Sequence, residues 1–377
     1  TPWALERRAT AVLKLMESRE MLAFGRFRRE ERMALSVAAE QAAFTLHAAD
    51  SPEEAGRWLE SHDAMAMLLD TEASESLAVQ TRSSARHARL PMIALSREIG
   101  DLCFSDAFSW GADDVLPLNS TRPLLTRLRT LPREMGTLPV SARGTALIAE
   151  SDKTRRTVVG RVLRNAGYSV MFAVTKEDAA RFALQEDIAL AVLNAELADD
   201  YPTTISAARG AGSKANFIVC ANPRDLKAVR AALDGTSGVG VIDAFAPPEN
   251  VLFASNELKG GAVNNRRSPR ILYGTTVAFR GAGREKDDFG FSYNMSEGGL
   301  YVRTLAPPED DEVWFEMCPP RSERRVRLVG KVAWRRRFNH NENATVPPGF
   351  GLSIVDGAKA DLQAWNDAYG TICAALG

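Results

Sequence analysis

The stretch Ala64-Met65-Ala66-Met67-Leu68-Leu69-Asp70 carries six apolar residues in a row and ends in a carboxylate. A strand that is apolar on both sides is covered on both sides, as a central strand of a parallel sheet is. The flanking sequence has the same grammar. Upstream, Met21–Phe27 reads as a strand, Glu30–Ala43 as a helix, Phe44–Ala49 as a strand and Pro52–Ser61 as a helix. Downstream come a polar helix, the strand Pro91–Ser96, another helix and the strand Asp114–Leu118. Short apolar strands alternating with helices predict a doubly wound α/β domain. The order then repeats, with strands at Ala146–Glu150, Tyr168–Ala173, Ile188–Asn194, Phe217–Ala221 and Val239–Ala244 separated by helices. This is a duplication at the level of fold, with little identity between the copies.

A chain of 377 residues exceeds one ordinary domain of about 150 residues. Two irregular stretches divide it: Pro132–Arg143, followed by Gly144, and Lys259–Asn265, which reads KGGAVNN as a flexible linker would. The expected organisation is an α/β block over 1–135, a second over 140–258 and a third, different block over 262–377. In the third, Val326, Leu328, Val332 and Trp334 alternate with Arg327, Val329, Lys331 and Arg335. Apolar-in, polar-out alternation is the mark of an antiparallel strand, and it places Trp334 in the core. Asp311–Met317 and Phe350–Val355 alternate similarly, and Pro and Gly clusters between them suit a small barrel. Asp361–Leu376 closes the chain as a helix with Leu362, Trp365, Tyr369, Ile372 and Cys373 on one face.

Composition narrows the function. Apolar residues are 45% and charged residues 25% of the chain, and the formal net charge is -1. A near-neutral chain lacks the positive field of a polyanion binder, so no nucleic-acid partner is expected. The arginines of Arg321–Arg327 and Arg335–Arg337 read as a solvated strand face. Cys103, Cys220, Cys318 and Cys373 form no CxxC pair and fit reduced thiols. His47, His62, His87 and His340 have no metal-ligand spacing, and no glycine-rich phosphate loop follows a strand. No catalytic residue, metal or cofactor is therefore expected. No apolar run reaches the roughly 18 residues of a membrane span. Charges throughout Thr1–Glu20 leave no signal-peptide core, so a cytoplasmic location is expected.

Two short motifs open the third block. Arg266-Arg267-Ser268-Pro269-Arg270 contains R-x-x-x-R, and Asn294-Met295-Ser296-Glu297-Gly298-Gly299 fits [D/N]-x-S-x-x-G. With GKVAWR (Gly330–Arg335) and PGFGLSIV (Pro348–Val355), they resemble the PilZ domains that bind cyclic di-GMP. The resemblance covers the entire third block. It implies an all-β antiparallel barrel with a C-terminal helix, and a ligand set of Arg266, Arg270, Asn294, Ser296 and Gly299, helped by Arg267. Asparagine at 294 is a known alternative to aspartate in the pattern. The chemistry agrees: guanidinium forks bind phosphodiesters bidentately and reach guanine O6 and N7. Short polar side chains suit a base edge. Gly299 either permits close backbone approach or supplies a positive φ.

The first two blocks resemble the receiver domains of two-component signalling, a flavodoxin-like fold. Such domains need an acidic pair after the first strand, an Asp after the third, Ser or Thr after the fourth and Lys after the fifth. In the first block Asp70 and Ser96 are in place, but the acidic pair falls on Gly25-Arg26 and the Lys on Leu118. Asp70 is then expected to cap the helix that follows, and Arg26 (or Arg28, one register step away) to face it with a guanidinium in place of Mg²⁺. In the second block Glu150 and Asp152 remain, while the acceptor position is Asn194, the fourth strand ends in Ala221 and the Lys position is Phe245. Both blocks are expected to be pseudo-receivers that accept no phosphate and make protein contacts with an unidentified partner. A homo-oligomer is compatible with this. The alternative, a phosphorylation-dependent response regulator using Asp70, is opposed by the missing acidic pair.

Overall fold

The computed structural model describes residues 19–134, 143–260, 268–281, 284–285, 287–339 and 344–376. The first sheet is all parallel and holds β1 (Arg19–Phe24), β2 (Phe44–Ala49), β3 (Ala64–Asp70), β4 (Met92–Ser96) and β5 (Asp114–Pro117) in the order β2-β1-β3-β4-β5. Its crossover helices are α1 (Arg29–Gln41), α2 (Pro52–Ser61), α3 (Glu75–Ser83), α4 (Asp101–Ser109) and α5 (Thr121–Thr130). β3 is central and buried on both faces, as its unbroken apolar run requires. The strand expected to run to Phe27 stops at Phe24, because Gly25 turns the chain with φ +151°.

The second sheet repeats the arrangement. β6 (Thr145–Ala149), β7 (Ser169–Ala173), β8 (Ile188–Asn194), β9 (Asn216–Ala221) and β10 (Val239–Asp243) lie parallel in the order β7-β6-β8-β9-β10. This strand order, with its switch between the first and third strands, is that of the flavodoxin-like fold. The helices are α6 (Lys153–Asn165), α7 (Lys176–Ala183), α8 (Tyr201–Gly210), α9 (Leu226–Ala232) and α10 (Asn250–Gly260). α10 continues through Lys259 and Gly260, the first two residues of the expected linker, and the Lys259 ammonium donates to the Tyr168 hydroxyl at 2.8 Å.

The last block is a closed barrel. β12 (Thr276–Gly281), β13 (Asp288–Ser296), β14 (Gly299–Arg303), β15 (Glu312–Met317), β16 (Val326–Arg336) and β17 (Gly349–Gly357) form a six-stranded antiparallel ring, and the short β11 (Ile271–Leu272) adds to β13. Closure leaves the ring no free edge. α11 (Lys359–Leu376) packs Trp365 and Tyr369 into the barrel core, with Leu362, Ile372 and Cys373 beside them. Trp334, expected inside, is 39% exposed and stacks on Tyr301 with centroids 4.8 Å apart. β16 carries irregularities between Val329 and Gly330 and between Val332 and Trp334, and such a bulge reverses the face of everything after it.

Four buried arginines tie the three blocks together. Arg161 of α6 and Arg82 of α3 grip the same carboxylate, Asp113, at 2.6 and 2.8 Å. Arg127 of α5 holds Asp114 at 3.0 Å and reaches the barrel at Asp288, at the Phe289 carbonyl (2.7 Å) and at Thr304 (2.9 Å). Arg303 of β14 forms a two-pronged pair with Glu249 at 2.7 and 2.9 Å, donates to the Ala112 carbonyl and lies over the Phe108 ring. Apolar packing joins in: Phe291 of β13 sits among Phe104 and Phe108 of α4. Among the described residues no helix is long and apolar enough to cross a membrane.

Candidate functional site

The β11–β13 register decides where the two motifs lie. Ile271 stands opposite Met295, and Leu272 opposite Asn294. One further antiparallel step sets Arg270 opposite Ser296. Ile271 and Met295 point into the barrel core. Alternation therefore puts Arg270, Leu272, Asn294 and Ser296 together on the outer face. Arg270 is exposed there, and Asn294 is only 7% exposed. The second block covers this face in part: Leu272 packs against the cluster that contains Leu252, Ala254 and Leu258 of α10. Next to Asn294, the Tyr293 hydroxyl donates to the Glu249 carbonyl at 2.8 Å, and Phe253 meets its ring edge-on. Arg266 and Arg267 lie outside the described residues.

Ser296 and Gly299 pair across the two-residue turn Glu297-Gly298. The Ser296 hydroxyl approaches the Gly299 carbonyl at 3.4 Å, and the Ile354 N–H donates to the Gly298 carbonyl at 2.9 Å. Of the two reasons expected for Gly299, close approach is the one seen. Its φ is not positive, and a Cβ on it would stand 2.2 Å from the Leu352 carbonyl oxygen of β17. The space it keeps open is thus the β14–β17 contact. α11 supports both motifs from below: the Trp365 indole donates to the Glu297 carbonyl at 2.9 Å, and the Tyr369 hydroxyl to the Pro269 carbonyl at 2.8 Å. The outer face combines a guanidinium, an amide with a donor and an acceptor, and a hydroxyl. That set can hold an anion beside a base edge.

At the carboxyl edge of the first sheet, Asp70 meets a cation, but not the expected one. The Arg26 backbone N–H, rather than its guanidinium, donates to Asp70 Oδ2 at 3.0 Å. Arg28 instead precedes α1, where its backbone N–H binds Glu31 at 2.6 Å. The guanidinium at this edge is that of Arg97, 3.7 Å from Asp70 and also paired with Glu31 and Glu72. Asp70 Oδ1 accepts from the Glu72 N–H at 3.1 Å, while α3 begins only after Ser74, so Asp70 caps a turn and not a helix. Ser96 turns to the Glu98 carbonyl at 2.6 Å, and Leu118 is core.

The second edge is neutralised in the same way. Glu150 is held by the Arg155 guanidinium at 3.1 Å and by the Asn194 amide at 2.7 Å. Asp152 caps α6 by accepting from the Arg155 N–H, and Arg155 lies over the Phe245 ring. Arg97 and Arg155 were not singled out from the sequence. Their signal was positional: one follows Ser96 directly, and the other lies three residues after Asp152. Among the described residues no group of three or more His, Cys, Asp or Glu could hold a metal. The barrel arginines are paired at the surface: Arg327 with Glu316 at 2.7 Å, Arg324 with Asp361, and Arg335 with the Pro308 carbonyl at 2.6 Å.

No family model matches the chain, and no curated protein does. Solved structures do. The inhibitor of motility MotI/DgrA of Bacillus subtilis aligns at 18% identity over 30% of this chain and 53% of its own, with a TM-score of 0.25. This chain thus spans about half the length of that protein. The PilZ domain of CeSA from a cellulose-synthesizing bacterium aligns at 16% identity over 29% of this chain and 100% of its own, with a TM-score of 0.21. A two-component system response regulator/GGDEF domain protein aligns at 17% identity over 64% of this chain and 98% of its own, with a TM-score of 0.32. At these identities the likeness is one of fold: receiver-like twice, then PilZ-like.

Proposed function

We propose that the barrel binds cyclic di-GMP and that the chain is a non-enzymatic effector of that second messenger. The observation that supports this best is the shared outer face of β11 and β13. It brings together Arg270, from the end of one motif, and Asn294 and Ser296, from the start of the other. Cyclic di-GMP offers two phosphodiester anions and two guanines. Arg266 and Arg270 take the role of charged forks on phosphate and guanine, with Arg267 assisting. Asn294 and Ser296 take a base edge, and Gly299 keeps the hairpin that presents them closed against β17. The pseudo-receiver pair carries the signal by protein contacts, and Tyr293, one residue before Asn294, already touches the second block at Glu249.

Calorimetric titration of the full chain tests the reading. Wild type is expected to bind cyclic di-GMP in preference to its linear form and to GMP. Removing one charge-assisted partner costs about 1.5–3 kcal/mol, so Arg266→Ala and Arg270→Ala should each weaken binding by roughly one to two decades. If both variants bind like wild type, the site is wrongly assigned.

A further inference from the structure

We infer that Tyr369 is a positioning residue of the dinucleotide site, acting through the peptide that carries Arg270. The inference rests on the functional reading above and adds α11 to the site. The Tyr369 hydroxyl donates to the Pro269 carbonyl at 2.8 Å. That carbonyl and the Arg270 N–H belong to one planar peptide unit, so fixing the direction of the first fixes the second. Little else is available to hold this segment. β11 pairs with β13 through only two residues, and Pro269 has no N–H to donate. From the same helix, the Trp365 indole donates to the carbonyls of Glu297 and Ser296 at 2.9 and 3.3 Å. One face of α11 therefore holds the arginine arm and the N-x-S-x-x-G turn in a single frame before any ligand arrives.

The ring and the hydroxyl of Tyr369 have separate roles. The ring belongs to the barrel core, where phenylalanine would fill the same space. The hydroxyl is the part aimed at the arm. Burial is the main influence that pushes it up to about 12, so it remains a proton donor at neutral pH. A site preorganised in this way binds more tightly because less order is lost on association.

The test is a double-mutant cycle on the full chain, read by titration with cyclic di-GMP. Tyr369→Phe removes one hydrogen bond, so affinity should fall about five- to tenfold in the wild-type background. In the Arg270→Ala background the same change should cost less than about twofold, because the group being positioned is gone. An equal loss in both backgrounds, or no loss in either, overturns the inference and leaves the functional reading standing. Absence of binding in wild type instead overturns the functional reading. The positioning geometry is also tested without ligand by tryptic cleavage after Arg270. Cleavage should be faster in Tyr369→Phe at unchanged melting temperature, and equal rates would overturn the inference.

Discussion

Gly25 has φ +151°, and a Cβ on it would stand 2.1 Å from the Cβ of Asp70. The residue aligned with half of a receiver's acidic pair is thus a glycine that makes room for Asp70 itself. Asp70 accepts from the N–H groups of Arg26 and Glu72 and faces the Arg97 guanidinium, so its oxygens are occupied by donors. Acetyl phosphate with Mg²⁺ should leave the intact mass of the protein unchanged. An adduct that disappears in Asp70→Asn would restore the phosphotransfer alternative. The sequence made the missing carboxylates legible, but it named the wrong arginine. Pattern fixes which residues reach a sheet edge and does not fix where side chains point once a strand has ended. At Gly25 the turn presents the Arg26 backbone to Asp70, leaving the charge to come from the β4 loop.

The β13–β14 hairpin shows what the motif carried and what it did not. The spacing of Asn294, Ser296 and Gly299 was visible, and the structure converts it into two outward side chains and a tight turn. Ser296→Ala should weaken ligand binding modestly, roughly three- to tenfold, the range of one lost hydrogen bond. Gly299→Val should cost the fold as well as the ligand, because its side chain would enter the β14–β17 contact. A lowered melting temperature should accompany the lost titration signal. Full affinity with wild-type stability in this variant would refute the assignment of Gly299. The phase of β16 could not be read, since its two irregularities leave no trace in an alternating pattern, and Trp334 was placed inside for that reason.

Across the whole molecule, the buried arginines make the three blocks one unit. Breaking a buried pair from one side strands a charge and costs about 3–5 kcal/mol, so Arg127→Ala should lower stability by that order in denaturant titration. Unfolding should follow one transition, and loss of the barrel alone at a lower temperature would contradict the shared junction. Burial opposes ionisation of Asp113, but Arg161 and Arg82 outweigh it and hold the carboxyl at about 2. Burial and Arg161 together draw Arg82 down to about 9, which leaves it charged at neutral pH. With a folded value below the ordinary one near 4, the Asp113 contribution is whole above about pH 4 and is lost as pH falls through about 2. Acid unfolding monitored by circular dichroism should begin in that window, and stability that holds flat down to pH 2 would contradict it. None of this junction was legible, because its partners lie up to 191 residues apart and no local pattern records them. The central claim, that cyclic di-GMP occupies the outer face of β11 and β13, is tested most directly by amide hydrogen exchange of the full chain with and without the dinucleotide. Protection is predicted at residues 268–272 and 294–299, with residues 70–75 and 150–155 unchanged. Protection confined to the receiver-like edges, or none anywhere, would contradict it.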